Sequence, residues 1–451
     1  MEKKRSSFSG GVGFVLAAAG SAVGLGNLWR FPYLAAQYGG GIFILVYIIG
    51  ALTFGFALLT TEIGIGRKTS LSSISAYSKL DKRFGFLGWL AWLVPVIILP
   101  YYCVIGGWVV KYTGEFLIGG GREAAVDGFF GNFIGSTVSP LIWFAIFLGL
   151  TGIIVLLGVE KGIEKISRIL MPLLLVMSIG IGIYVLTIPG AMDGLKYYLL
   201  PDFSKFSIKT VCAAIGQLFF SMSIAMGIMV TYGSYTRKEV SLVKSVNQIE
   251  IFDTVVALLA GLMIIPAVYV FSGEEGTMSS GPGLMFITLP KVFDKMAGGQ
   301  IVGLVFFILV FFAALTSSIS IMEAIVSMLI DKLRVSRRRG VVMILILAVI
   351  LGIPTSLGNG PWAAIQILGM DFLTFFDYVS NNVLMPIVAL LTCILIGWVV
   401  GTKTITDEVS RNGEHFGRKG LYEVMVKYIA PICLVTILVF YTLAQFGVIS
   451  V

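Results

Sequence analysis

The sequence predicts an all-α polytopic membrane protein: eleven transmembrane helices in a 5+5 inverted repeat with broken helices 1 and 6, plus one extra helix. Three observations predict this. The composition is too apolar for a soluble fold of this length. Eleven apolar runs are long enough to span a bilayer. Two of those runs, five apart, are interrupted by small residues. Of 451 residues, 57% are hydrophobic and 12% charged, with a mean hydropathy of +0.96, so lipid has to act as the solvent.

The runs lie near residues 11–37, 41–66, 87–117, 140–158, 165–188, 208–236, 245–272, 299–331, 340–358, 371–400 and 424–448, here segments 1 to 11. The N-terminus is short and basic. Its apolar run continues through Gly20–Asn27 to Tyr38 with Gly-rich breaks and no cleavage signal, so it reads as a retained first helix. Segment 1 carries Gly20-Ser21-Ala22-Val23-Gly24-Leu25-Gly26-Asn27 in its middle, and segment 6 carries Ser221-Met222-Ser223-Ile224-Ala225-Met226-Gly227. Gly and Ser weaken a helix, and unwound backbone survives in hydrocarbon only where its polar groups are satisfied. Small residues that merely let neighbours pack closely are the plainer reading of either break alone. Two breaks at matched positions favour an inverted repeat with a site at the midplane. The chain is then one transporter domain, 1–451, with repeat 1 about 11–188, repeat 2 about 208–400, and segment 11 outside.

Charge sets the expected orientation. With the N-terminus inside, inner stretches hold 24 of the 32 Lys and Arg residues, a bias that places the basic side in the cytoplasm. An odd number of spans then leaves the C-terminus extracellular, in a multi-pass protein of the cell (inner or plasma) membrane. The net charge of +8 therefore implies no nucleic-acid partner, and no obligatory protein partner is evident.

Several function classes fall away. Cys103, Cys212, Cys393 and Cys433 all lie in apolar stretches, without disulfide or metal-ligand spacing, and the single histidine, His415, is in a polar loop. A membrane enzyme would need a nucleophile–base pair or metal cluster that is not legible. An amino-acid receptor or sensor without transport would need a soluble signalling domain, whereas the longest polar inner stretch is about 401–423.

Polar groups converge in depth. At about 1.5 Å per residue, Asn27, Tyr102, Ser221 and Thr316 each lie about 20–26 Å from the start of their helix, although segments 1 and 3 run opposite to 6 and 8. Broken helix ends offer carbonyls to cations and amides to carboxylates. The carbonyls of Gly20, Ala22 and Val23, with the side chains of Asn27, Ser221, Thr316 and Ser317, suit sodium; hydroxyls bonding back to their own helix are the alternative for Thr316-Ser317-Ser318. Ionisable residues within spans are expensive and so informative. Glu62 is expected to accept amides from a broken helix. Asp253 and Glu250 lie one turn apart in segment 7. Arg30 and Asp377 sit above the site, Arg5 and Asp331 below it, as two gates or as structural ion pairs.

Gly20–Pro32 (GSAVGLGNLWRFP), Gln217–Tyr235 (QLFFSMSIAMGIMVTYGSY) and Phe311–Met322 (FFAALTSSISIM) closely resemble the neurotransmitter:sodium symporter family, especially its bacterial eleven-helix amino acid transporters. The resemblance covers essentially the whole chain. It implies one sodium at Ala22, Asn27, Ser221 and the acid of segment 7, and a second at Gly20, Val23, Ala313, Thr316 and Ser317. It also implies that a substrate carboxylate meets the Leu25 and Gly26 amides and the Tyr102 hydroxyl, and that an ammonium meets carbonyls around Phe220, Ser221 and Ser223. Phe220 would be the lid, Arg30 with an acid of segment 10 the outer gate, and Arg5, Tyr235 and Asp331 the inner gate. Glu62 would brace segment 6, with Gln217 and Glu250 in support. Ser21, Ala225 and Met226 depart from common family residues. Asp253 is favoured over Glu250 by its spacing to Pro266, and Asp377 over Asp371 by its depth.

The pocket aligned in this way is lined by Ser21, Ile98, Tyr102, Phe220, Met226, Ser317 and Ile321. It holds no charged residue, so a neutral, hydrophobic or aromatic amino acid is expected, with Met adaptable to either. An acid in segment 7 supplies the fixed negative charge that chloride-dependent relatives take from chloride. The expectation is therefore a symporter carrying an amino acid with two sodium ions and no chloride.

Overall fold

The computed structural model describes residues 7–277 and 281–445. Among these residues there is no strand, only two isolated bridges, Gly40 with Pro201 and Ile367 with Met370. All eleven apolar segments are helical. Among the described residues, nine continuous helices are long and apolar enough to cross a membrane: Gly41–Thr69, Lys82–Leu117, Ser139–Leu156, Val159–Leu186, Leu242–Gly273, Gly299–Leu333, Arg337–Leu357, Phe372–Val399 and Lys419–Gln445. Segment 1 makes a tenth if its halves, Gly11–Ala22 and Gly26–Gln37, bent by 51°, are counted together. Segment 6 divides into Ile208–Ser221 and Ile228–Tyr235. Neither half is long enough to span alone, so the expected count of eleven depends on reading segment 6 as one interrupted span.

Both breaks have local causes. After Ala22 the backbone turns extended at Val23 (ψ 102°) and re-enters a helix at Leu25. In segment 6, Ser223, Ala225 and Gly227 all take positive φ (52°, 63° and 67°), a region costly for non-glycine residues and held only where surroundings over-determine it. Prolines inside segments 3, 5, 7 and 9 leave those helices continuous, since neighbouring helices re-satisfy the freed backbone in a membrane fold.

Segment 3 lies at the centre, 83% buried over its apolar window, whereas segment 11 is 28% buried and faces outward. The second half of segment 6 lies backbone to backbone against segment 2. A Cβ on Gly66 would fall 1.9 Å from the Val230 carbonyl oxygen, and one on Gly233 2.4 Å from that of Ile63. Small residues at this crossing serve close approach; the breaks themselves do something else.

Candidate functional site

The two breaks meet. The Ser223 hydroxyl donates to the Ser21 carbonyl at 3.0 Å, and the two hydroxyls lie 3.0 Å apart. Glu62 holds the unwound stretch in place: its Oε1 accepts the Ala225 amide at 2.6 Å, a donor orphaned by the break. Gln217 donates from Nε2 to the Gly26 carbonyl at 2.8 Å, tying the first half of segment 6 to the second half of segment 1. Both residues therefore lie where a bracing role requires.

Between the breaks is a small, tightly closed cavity, about 20 Å³, lined by Ser21, Ala22, Gly24, Gly26, Ile98, Tyr102, Phe220, Ser223, Met226, Ser317 and Ile321. All seven pocket residues expected from the sequence lie on its wall, and none of its lining is charged. The Tyr102 hydroxyl accepts the Leu25 amide at 3.2 Å, so the tyrosine and the exposed helix start share one end of the cavity. Phe220 covers that end so closely that a Cβ on Gly26 would lie 2.4 Å from its ring.

Two clusters of oxygens flank the cavity. In the first, Asn27 donates from Nδ2 to Asp253 Oδ1 at 2.8 Å, while Ser221 and Tyr47 each donate to Asp253 Oδ2 at 3.1 Å. Asp253 is fully buried, and among the described residues no Lys or Arg pairs with it. A carboxylate in this setting calls for a cation. In the second cluster the Ser317 hydroxyl lies 3.0, 3.2 and 3.4 Å from the carbonyl oxygens of Ser21, Val23 and Gly20. One proton serves only one of them, so several oxygens still face a common point. Thr316 bonds back to the carbonyls of Phe312 and Ala313, at 3.0 and 3.1 Å, so the self-bonding alternative does hold for its hydroxyl here. Among the described residues no cluster of three His, Cys, Asp or Glu exists. Carbonyls, hydroxyls, one amide and one carboxylate form a hard-oxygen donor set, which fits an alkali cation better than a transition metal.

The paired acids sit in different surroundings. Asp253 joins Asn27, whereas Glu250, one turn away, forms an ion pair with Arg418 at 2.9 Å. Asp377 shares with Arg30, Tyr33, Tyr101 and Phe220 a second cavity of about 210 Å³ on the far side of Phe220, and accepts from Asn381 at 2.5 Å. Asp371 instead caps its own helix, accepting the Thr374 amide at 3.0 Å. Arg30 stands 5.6 Å from the centre of the Phe220 ring. Among the described residues it forms no direct ion pair with Asp377.

On the opposite side, Tyr235 and Asp331 both have partners within the protein. Arg5 lies outside the described residues. Asp331 accepts the Ser72 amide at 2.8 Å. The Tyr235 hydroxyl donates to Glu323 at 2.7 Å, and the Arg337 guanidinium bonds both oxygens of the same carboxylate. Sequence reasoning missed Glu323, a fully buried acid within segment 8, although an acid inside an apolar run is itself the signal. It also missed Tyr47, whose ring reads as ordinary core.

An interrupted-helix bundle with an enclosed, uncharged cavity between two oxygen clusters defines a class: a membrane transporter that moves small solutes with cations. Comparison with known proteins agrees. The Sodium:neurotransmitter symporter family matches residues 5–118 and 133–448, and the chain belongs to that family. It is 34% identical over 443 residues to the uncharacterized sodium-dependent transporter YhdH of Bacillus subtilis (strain 168), covering 97% of each chain. It is 26% identical to the sodium- and chloride-dependent taurine transporter of Rattus norvegicus, covering 90% of this chain and 73% of that one. The crystal structure of MhsT in complex with L-phenylalanine superposes with a TM-score of 0.88 at 35% identity, over 97% of this chain and 99% of that one.

Proposed function

We propose that the protein is a sodium-coupled symporter that imports a neutral, hydrophobic or aromatic amino acid by alternating access, without chloride and without enzymatic activity. The observation that carries this reading is the uncharged cavity between the breaks, with amide and hydroxyl groups at one end. A zwitterion has its charges on the α-carbon, where helix ends can meet them. Its side chain is left to Ile98, Met226 and Ile321. MhsT, similar along its whole length, is seen with phenylalanine, which favours the same substrate class here.

In this reading Asn27, Ser221, Asp253 and the Ala22 carbonyl receive one sodium ion. Gly20, Val23, Ala313, Thr316 and Ser317 receive the second. Both ions are cargo. The Leu25 and Gly26 amides and Tyr102 orient the substrate carboxylate beside the first ion, so each ligand improves the site of the other. Two charges moving down about 150 mV supply about 7 kcal/mol. Asp253 supplies the negative charge that removes the need for chloride. Segments 1–5 and 6–10 form the inverted repeat, with the N-terminus cytoplasmic and the C-terminus extracellular.

Proteoliposomes with an inward sodium gradient test this. Labelled phenylalanine or leucine should accumulate with external sodium, fail to accumulate with choline, and be unaffected when gluconate replaces chloride. Uptake that persists in choline would remove the coupling, and loss in gluconate would remove the chloride clause.

A further inference from the structure

A groove far from the substrate cavity carries an assignment of its own. It opens between segment 3, segments 8 and 9 and the short helix Ser73–Leu80, has a volume of about 500 Å³ and is lined almost wholly by apolar side chains, among them Ile74, Trp89, Trp92, Ile344 and Ile350. Lys332 is its one charged lining residue. The start of segment 3, the end of segment 8 and the start of segment 9 all lie on the side to which the basic loops belong. From there the groove follows segment 9 inward to Ile350, about 20 Å from its start at Arg337. One leaflet of a hydrocarbon core about 30 Å thick is about 15 Å deep, so the groove runs from the headgroup layer through one leaflet.

The mouth of the groove is chemically different from its floor. The Lys332 ammonium lies 5.6 Å from the centre of the exposed Trp89 ring. A ring face steadies a cation but does not neutralise it. Residues 332–339 add Arg334, Arg337, Arg338 and Arg339 without any acid. Arg337 is committed to Glu323, and neighbouring Asp331 already accepts the Ser72 amide. Trp92 is set edge-on to Trp89 at 6.0 Å and continues the aromatic wall beneath the ammonium.

We propose that this groove binds an anionic phospholipid of the cytoplasmic leaflet: an acyl chain lies along segment 9 and the phosphate meets Lys332. A cation at the mouth of an apolar groove fits an anionic lipid better than a neutral one. The assignment rests on the proposed orientation only for the leaflet, not for the lipid class.

The purified protein, delipidated in detergent, can be titrated with phosphatidylglycerol or phosphatidylcholine and the retained lipid counted by native mass spectrometry. Phosphatidylglycerol should be retained in preference to phosphatidylcholine. Lys332→Ala should cut that preference about fivefold, while Lys161→Ala, an exposed cation on another loop, should leave it intact. Equal retention of the two lipids, or equal losses in the two variants, would overturn the assignment. Neither outcome bears on the transport reading, which concerns a different cavity.

Discussion

The two sides of the central cavity are built differently. Toward Arg30, the cavity is separated from a larger vestibule by little more than Phe220 and Tyr102, which line both spaces. Arg30 and Asp377 face each other across that vestibule without forming an ion pair. Toward Tyr235, the path is filled. Phe8 packs edge-on against Tyr232 and Tyr235, with ring centres 5.5 and 6.1 Å away, and its amide donates to the Tyr235 carbonyl at 3.1 Å. Behind them, Glu323 takes Tyr235 and Arg337 together. One side is thin and loosely held, the other thick and ionically locked. The difference teaches which contacts must break first in the proposed cycle: release toward the basic side would require the Glu323 cluster to open, whereas access from the other side would require Phe220 to swing away.

The largest expected effect comes from breaking the locked side. Glu323→Ala removes the carboxylate that both the Arg337 guanidinium and the Tyr235 hydroxyl bond, a loss of about 3–5 kcal/mol for one partner of a buried pair. Amide hydrogen exchange in Gly11–Ala22 should rise about 100-fold or more. Tyr235→Phe removes one hydrogen bond to a charged group, about 1.5–3 kcal/mol, and should raise the same exchange by about tenfold or somewhat more. Unchanged exchange in both variants would mean that aromatic packing alone closes this side.

On the thin side, Gly26→Ala drives a methyl group into the Phe220 ring. Overpacking of this kind costs about 1–3 kcal/mol, so apolar amino acids should bind about tenfold more weakly, as read by calorimetric titration in sodium. Asp377→Asn is expected to do least in this state, with less than about a threefold change in Gly11–Ala22 exchange, because a pair not yet formed contributes little. A large effect would show that the vestibule is already held by that charge.

How legible each side was in the sequence follows the same division. The breaks and Asp253 rest on short-range signals, glycine and serine runs and an acid in an apolar helix, whereas the seven pocket residues follow from the family resemblance. Asp377 was separable from Asp371 because depth along a helix is nearly linear in residue number. The locked side was not legible in the same way. Tyr235, Glu323 and Arg337 come from three segments, and only packing decides that Glu323 faces Tyr235 while Asp331 takes the Ser72 amide. Arg67 is likewise a loop cation by sequence but lies buried against Glu408 at 2.9 Å. The positive φ values at Ser223 and Ala225 were equally hidden, since neither residue type announces that conformation.

The central claim is that substrate and sodium share one site built around Asp253. It is tested most directly by thermal unfolding of the purified protein with a panel of amino acids, in sodium and in choline. A ligand of the folded state raises apparent stability by RT ln(1 + [L]/Kd). Hydrophobic and aromatic amino acids should raise the Tm in sodium only, and Asp253→Asn should abolish that rise while leaving the fold intact. Equal stabilisation in choline, or an undiminished rise in the Asp253→Asn protein, would contradict the shared site.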